Sequence, residues 1–91
     1  MVVDTKHGEF HVKSMNRKTR RDYYKKVKHV FEKMDQTKLH ELADEFTLIA
    51  FGDEQKAEEV LGHLSAIEED EVLTAIILAY MGIDSGNLTG D

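Results

Sequence analysis

The chain has 91 residues, of which 41% are hydrophobic and 33% charged, and it contains no Cys, Pro or Trp. That balance belongs to one small globular domain and excludes a disulfide framework, a thiolate nucleophile and a Cys-ligated zinc. The net charge is −6, yet residues 13–38 carry ten cations against three acids and residues 39–91 carry one cation against thirteen acids, nets of +7 and −12. Charge separated in this way along a chain points to partner docking rather than chemistry.

The first element expected is a β-hairpin. Val2 and Val3 precede Lys6-His7-Gly8, after which Phe10 and Val12 alternate with His11 and Lys13, the period of two that marks a half-buried strand. Two strands alone are marginal in water, so their apolar face must rest on helices or their free edge must pair with another chain.

From Asn16 the period changes. Tyr23, Tyr24, Val27, Val30, Phe31 and Met34 recur at spacings of three and four and form the inward stripe of an amphipathic helix, capped by Thr19 or, earlier, by Ser14 or Asn16. A second helix opens at Asp35 or Thr37, turns Leu39, Leu42, Ala43, Phe46, Ile49 and Ala50 inward, and closes near Gly52. Asp53 caps a short third helix carrying Ala57, Val60, Leu61 and Leu64, weakened at its end by Gly62.

Ser65-Ala66-Ile67-Glu68 has the spacing of a capping box, which starts a fourth helix. Val72, Leu73, Ile76, Ile77, Tyr80 and Met81 make it the most apolar element, predicted to be central and to end at Gly82. The fold class expected is therefore α+β, mostly α, with a short N-terminal hairpin followed by about four helices in a small bundle. Residues 1–83 form the single domain and 84–91, polar and glycine-rich around Leu88, form a flexible tail. The longest apolar run, Ala75 to Met81, is far short of the ~20 residues that span a bilayer, and no cationic leader precedes an apolar block, so an intracellular location is expected.

Two constellations are candidates for partner binding. Arg17, Lys18, Arg20, Arg21, Lys25 and Lys28 form a basic face on the first helix, interleaved with tyrosines in the manner of nucleic-acid surfaces. The tyrosines lie on the apolar stripe and the rest of the chain is acidic, so a solvated or protein-docking face is favoured over direct nucleic-acid binding. Glu58, Glu59, Glu68, Glu69, Asp70 and Glu71 are the acidic counterpart. The run from Glu68 to Glu71 points in several directions around a helix and cannot enclose an ion; capping and the positive end of the helix dipole explain it better.

Enzymatic and metal readings find little to stand on. His7 and His11 flank the turn but lack further ligands, and His29, His40 and His63 are scattered. His40-Glu41-Leu42-Ala43-Asp44 opens like a zinc-protease helix but has Asp where the second His is required. No glycine-rich phosphate loop occurs, and Ser14, Ser65 and Ser85 have no base at a suggestive spacing. Neither catalysis nor a cofactor is expected.

The strand Glu9-Phe10-His11-Val12-Lys13, the basic connection Met15-Asn16-Arg17-Lys18-Thr19-Arg20-Arg21 leading into an amphipathic helix, and the acidic helices after it resemble the layout of phage tail assembly chaperones of the siphophage type. The resemblance covers about residues 4 to 82 by pattern. It implies a non-enzymatic protein in the cytoplasm of an infected or lysogenic bacterial host. Such a protein coats the long helical tape measure protein until tail tube protein displaces it, and it self-associates into chains or rings. Many members also exist in a longer, frameshifted form extended from the C-terminal segment. The alternative is a small nucleic-acid-associated regulator that uses the basic helix 17–33.

Overall fold

A computed structural model describes residues 1–83, so the expected tail of 84–91, with Leu88, lies outside the described residues. Strands β1 (Val2–Thr5) and β2 (Gly8–His11) form a two-stranded antiparallel sheet, followed by α1 (Arg17–Lys33), α2 (Gln36–Phe51), α3 (Glu54–Leu61) and α4 (Ala66–Met81). The expected α+β, mostly helical architecture is the one observed.

Pairing of Val3 with Phe10 and of Thr5 with Gly8 leaves Lys6 and His7 as a two-residue loop. Gly8 has φ of +117°, a conformation in which a side chain would be strained. The Thr5 hydroxyl donates to the Gly8 carbonyl (2.9 Å) and accepts from the His7 amide (3.0 Å), which closes the turn. Val3, Phe10 and Val12 share the buried face of the hairpin, and β1 packs on α4.

All four helices begin at a polar cap. Asn16, Asp35, Asp53 and Ser65 each accept from the backbone N–H three residues on, and Ser65 with Glu68 completes the reciprocal capping box. The C-termini are less uniform. Gly82 ends α4 in the left-handed region at φ 68°, but the same conformation at the end of α1 is held by Met34 at φ 52°. A side chain there costs roughly 1–2 kcal/mol that glycine avoids. Met34→Gly is therefore expected to raise stability by about 0.5–1 kcal/mol, the remainder being lost to the freer unfolded chain, as urea denaturation would show. A loss of stability would mean that the Met34 side chain supports the fold.

Helix α4 lies at the centre, against α1, α2 and β1. Seven of its residues are buried, among them Val72, Ile76 and Ile77 with no exposure. Each such side chain contributes about 1.5–3 kcal/mol of hydrophobic stabilisation. Phe46 of α2 is the largest fully buried side chain and meets Tyr23 of α1 edge-on (centroids 5.1 Å) and Tyr80 of α4 at a tilt (5.7 Å). The Tyr80 hydroxyl donates to the Lys13 carbonyl, and the Lys13 amide donates to the Ala50 carbonyl (2.9 Å). The segment joining hairpin to bundle is thereby tied to α2 and α4 at one residue.

Two expected members of the α1 stripe lie outside the core. Tyr24 is 43% exposed and Met34 66% exposed, whereas Tyr23 is partly buried and Val27 and Val30 are buried. Tyr24 is rotated about 100° from Tyr23 around the helix and only the latter faces Phe46. Met34 follows the last helical residue, and its left-handed backbone takes the side chain off the helical line.

Candidate protein-docking surfaces

The first turn of α1 contains no acidic residue, while Arg17, Lys18 and Arg20 crowd its positive end. Cations at that position oppose the helix dipole by about 0.3–1 kcal/mol each. Folding alone would favour acids there, as the first turns of α3 and α4 have. The basic face is therefore kept against a local electrostatic cost.

The spacing of four places Arg17, Arg21 and Lys25 in one row and Arg20, Tyr24 and Lys28 in the adjacent row, with Lys18 beside the first. All six cations are exposed, and among the described residues none lies within ion-pair distance of a carboxylate. From Arg17 to Lys28 the face runs about 16 Å along the helix. Tyr24, expected inside, lies in the second row between Arg20 and Lys28 as an aromatic surface. Lys26 points elsewhere: its ammonium meets Glu45 of α2 at 2.7 Å and lies 5.7 Å from the Tyr23 ring, while the Tyr23 hydroxyl donates to the same carboxylate (3.2 Å). Burial, then the adjacent Glu45 charge, raises the Tyr23 pKa, so this α1–α2 clamp keeps a neutral phenol.

The six acidic residues do not share one face. Glu68 and Glu71 turn toward the hairpin loop, where Lys6 meets Glu71 at 2.6 Å and His7 lies 3.6 Å from Glu68 and 3.4 Å from Glu71. Glu58 and Glu69 line a groove of about 300 Å³ with Asp44 and Glu54, which are not among the six acids expected to form the acidic face. Glu59 and Asp70 are exposed. Among the described residues no three His, Asp or Glu side chains are grouped to hold a metal ion, and none of the helices is long and apolar enough to cross a membrane.

No protein-family model, curated protein or solved structure matches the chain. The surfaces therefore have to be read from their own chemistry. Among the described residues no polar or charged residue is buried and no buried side-chain polar atom lacks a partner. What the fold presents is charge and apolar relief on its outside.

The hairpin clasp has a defined pH response. The Ser65 amide, then its hydroxyl, holds the Glu68 carboxyl below the usual range, with a smaller contribution from His7; Lys6, ahead of His7, does the same for Glu71. A carboxyl with a depressed folded pKa stabilises fully above its unfolded value of about 4.5, and the contribution disappears as pH falls through the folded value. The melting temperature of Glu71→Gln is expected to lie below that of the parent at pH 7 and to converge with it near pH 3. A gap that persists at pH 3 would assign the effect to packing.

Proposed function

We propose that the protein is a non-enzymatic assembly chaperone of the phage-tail type, which binds the tape measure protein, yields it to tail tube protein, and self-associates while tails form in the cytoplasm of the bacterial host. The observation that carries this reading is the unpaired cationic face of α1 around an exposed Tyr24, kept at a helix end where cations oppose the dipole. A cationic and aromatic strip on a chain that is otherwise strongly acidic fits repeated weak contacts with a long helical client and with other copies, contacts that sum by avidity.

The test is capture of the tagged protein from phage-producing cells, with and without nuclease, followed by mass spectrometry of what is bound. A long helical tail protein that survives nuclease supports the chaperone reading; its absence from both samples sinks it.

The same exposed tyrosine favours a second reading, a small nucleic-acid-associated regulator that uses residues 17–33. Bases stack on such rings, and flanking cations contact phosphates. That reading requires DNA or RNA binding with a steep salt dependence that disappears when Lys18, Arg21, Lys25 and Lys28 are neutralised. The net charge of −6 weighs against it.

A further inference from the structure

Strand β1 has an edge that no other element pairs with. Met1 and Val12 exchange both of their backbone hydrogen bonds, each at 2.9 Å, so they are a hydrogen-bonded pair of the hairpin. Alternation along an antiparallel ladder makes Val3–Phe10 and Thr5–Gly8 the next such pairs. The N–H and C=O groups of Val2 and Asp4 therefore point away from β2. Among the described residues none of these four groups meets a partner, and both residues are exposed.

Alongside that strand lies an apolar groove of about 470 Å³. Thr5, Lys6 and His7 form one wall, Ile67, Ala75 and Leu78 of α4 form the floor, and no residue of β2 lines it. Ile67 is 73% exposed, and Leu78 is buried without joining the main core.

We propose that β1 takes up an extended peptide of a partner protein as a third, antiparallel strand laid over α4, its alternate apolar residues facing the groove and its intervening basic residues facing solvent. The backbone fixes the conformation of the occupant, because a row of unpaired N–H and C=O groups is matched by a strand and not by a helix. Length agrees with this. From Ile67 to Leu78 the floor runs about 16 Å along α4, the span of roughly five extended residues, whose alternate side chains point down into it.

Charge fixes the composition. Asp4 stands on the solvent face of β1 and Asp70 lines the groove, and among the described residues neither pairs with a cation, while Lys6 is taken by Glu71. In antiparallel pairing the residue opposite Asp4 shares its solvent face, which places a Lys or Arg of the peptide directly across from it. A second copy of β1 would bring another Asp4, and residues 84–91 of this chain carry two acids and no cation, so both match the edge less well than a basic strand does. The inference stands apart from the chaperone reading, whose surface is the cationic face of α1.

The test is a nuclear magnetic resonance titration of the full chain with a capped seven-residue peptide that alternates Val and Lys. Saturable binding is expected with a Kd of about 1 mM or tighter, with the largest shifts at Val2, Asp4 and Ala75. Since the lysines supply the hydrogen bonds to β1, methylating the three lysine backbone nitrogens should weaken binding by roughly tenfold or more, and methylating the valine nitrogens should change it less than about twofold. Asp4→Pro should remove binding yet keep the helical circular dichroism, because the lost N–H bonds nothing in the hairpin and proline is tolerated on an edge. Asp4→Asn, which keeps that donor, should bind about threefold or more weakly at low salt and equal the parent at high salt. No saturable binding, equal effects of the two methylation patterns, or shifts centred on Asp44 and Glu54 would overturn the proposal. So would a free protein of doubled mass with slowly exchanging Val2 and Asp4 amides, in which the edge is already filled by a second copy.

Discussion

Replacing Phe46 with alanine is expected to cost about 3–5 kcal/mol, a large part of the roughly 5–15 kcal/mol available to a small domain. Phe46 has no exposure and joins three helices through its contacts with Tyr23 and Tyr80. The loss would combine the transfer energy of the ring with a cavity that α4 cannot close, because α4 is also held by the hairpin and by the Tyr80 bond to Lys13. Urea denaturation followed by far-ultraviolet circular dichroism would measure it. Phe46→Leu should recover more than half of the stability; a Phe46→Ala protein within 1 kcal/mol of the parent would refute the central role assigned to this ring.

Reversing Arg17, Arg20 and Arg21 to glutamate should move stability and association in opposite directions. Arg17 and Arg20 stand in the first turn of α1, where acids agree with the helix dipole, so the triple variant should be more stable by roughly 0.3–1 kcal/mol for each favourable position. Association with other copies and with the client should fall at least tenfold at low salt, about 1.4 kcal/mol or more, and the difference from the parent should shrink as salt screens the contact. Sedimentation across salt concentrations reads the association, and thermal unfolding reads the stability. Unchanged sedimentation at every salt concentration would end the argument that the cationic face is an interface.

The element order was legible because polar caps and glycines separate the apolar stripes. Asp53 and Ser65 announce two helix starts and Gly52 and Gly82 two ends, while the structure selects Asn16 over Thr19 or Ser14 and Asp35 over Thr37, and stops α3 at Leu61, before Gly62, leaving Leu64 outside the helix. The end of α1, at Met34, carried no such mark, since its left-handed backbone is occupied by a residue that gives no hint of it. Periodicity also drew Tyr24 inward, because a stripe defined by spacings of three and four is wider than the face that Phe46 and α4 actually cover. The basic face could be seen in the sequence, since all its members lie on one helix. The acidic residues could not be grouped in the same way. Which of them meet Lys6 and His7, and which share a groove with Asp44 and Glu54, depends on how β1 and α2 pack against α4.

Lys13 fixes how the N-terminal arm can come loose. Its amide is held by Ala50 and its carbonyl by the buried Tyr80, so the arm cannot swing away until α2 and α4 release the same residue. In hydrogen exchange the Lys13 amide, although it lies in a connecting segment, should exchange on the slow timescale of the bundle, while the amides of Lys6 and His7 at the loop tip exchange early. The arm is thus hinged at the bundle rather than frayed from it, and a contact made at the loop tip reports its strain directly to the middle of the fold.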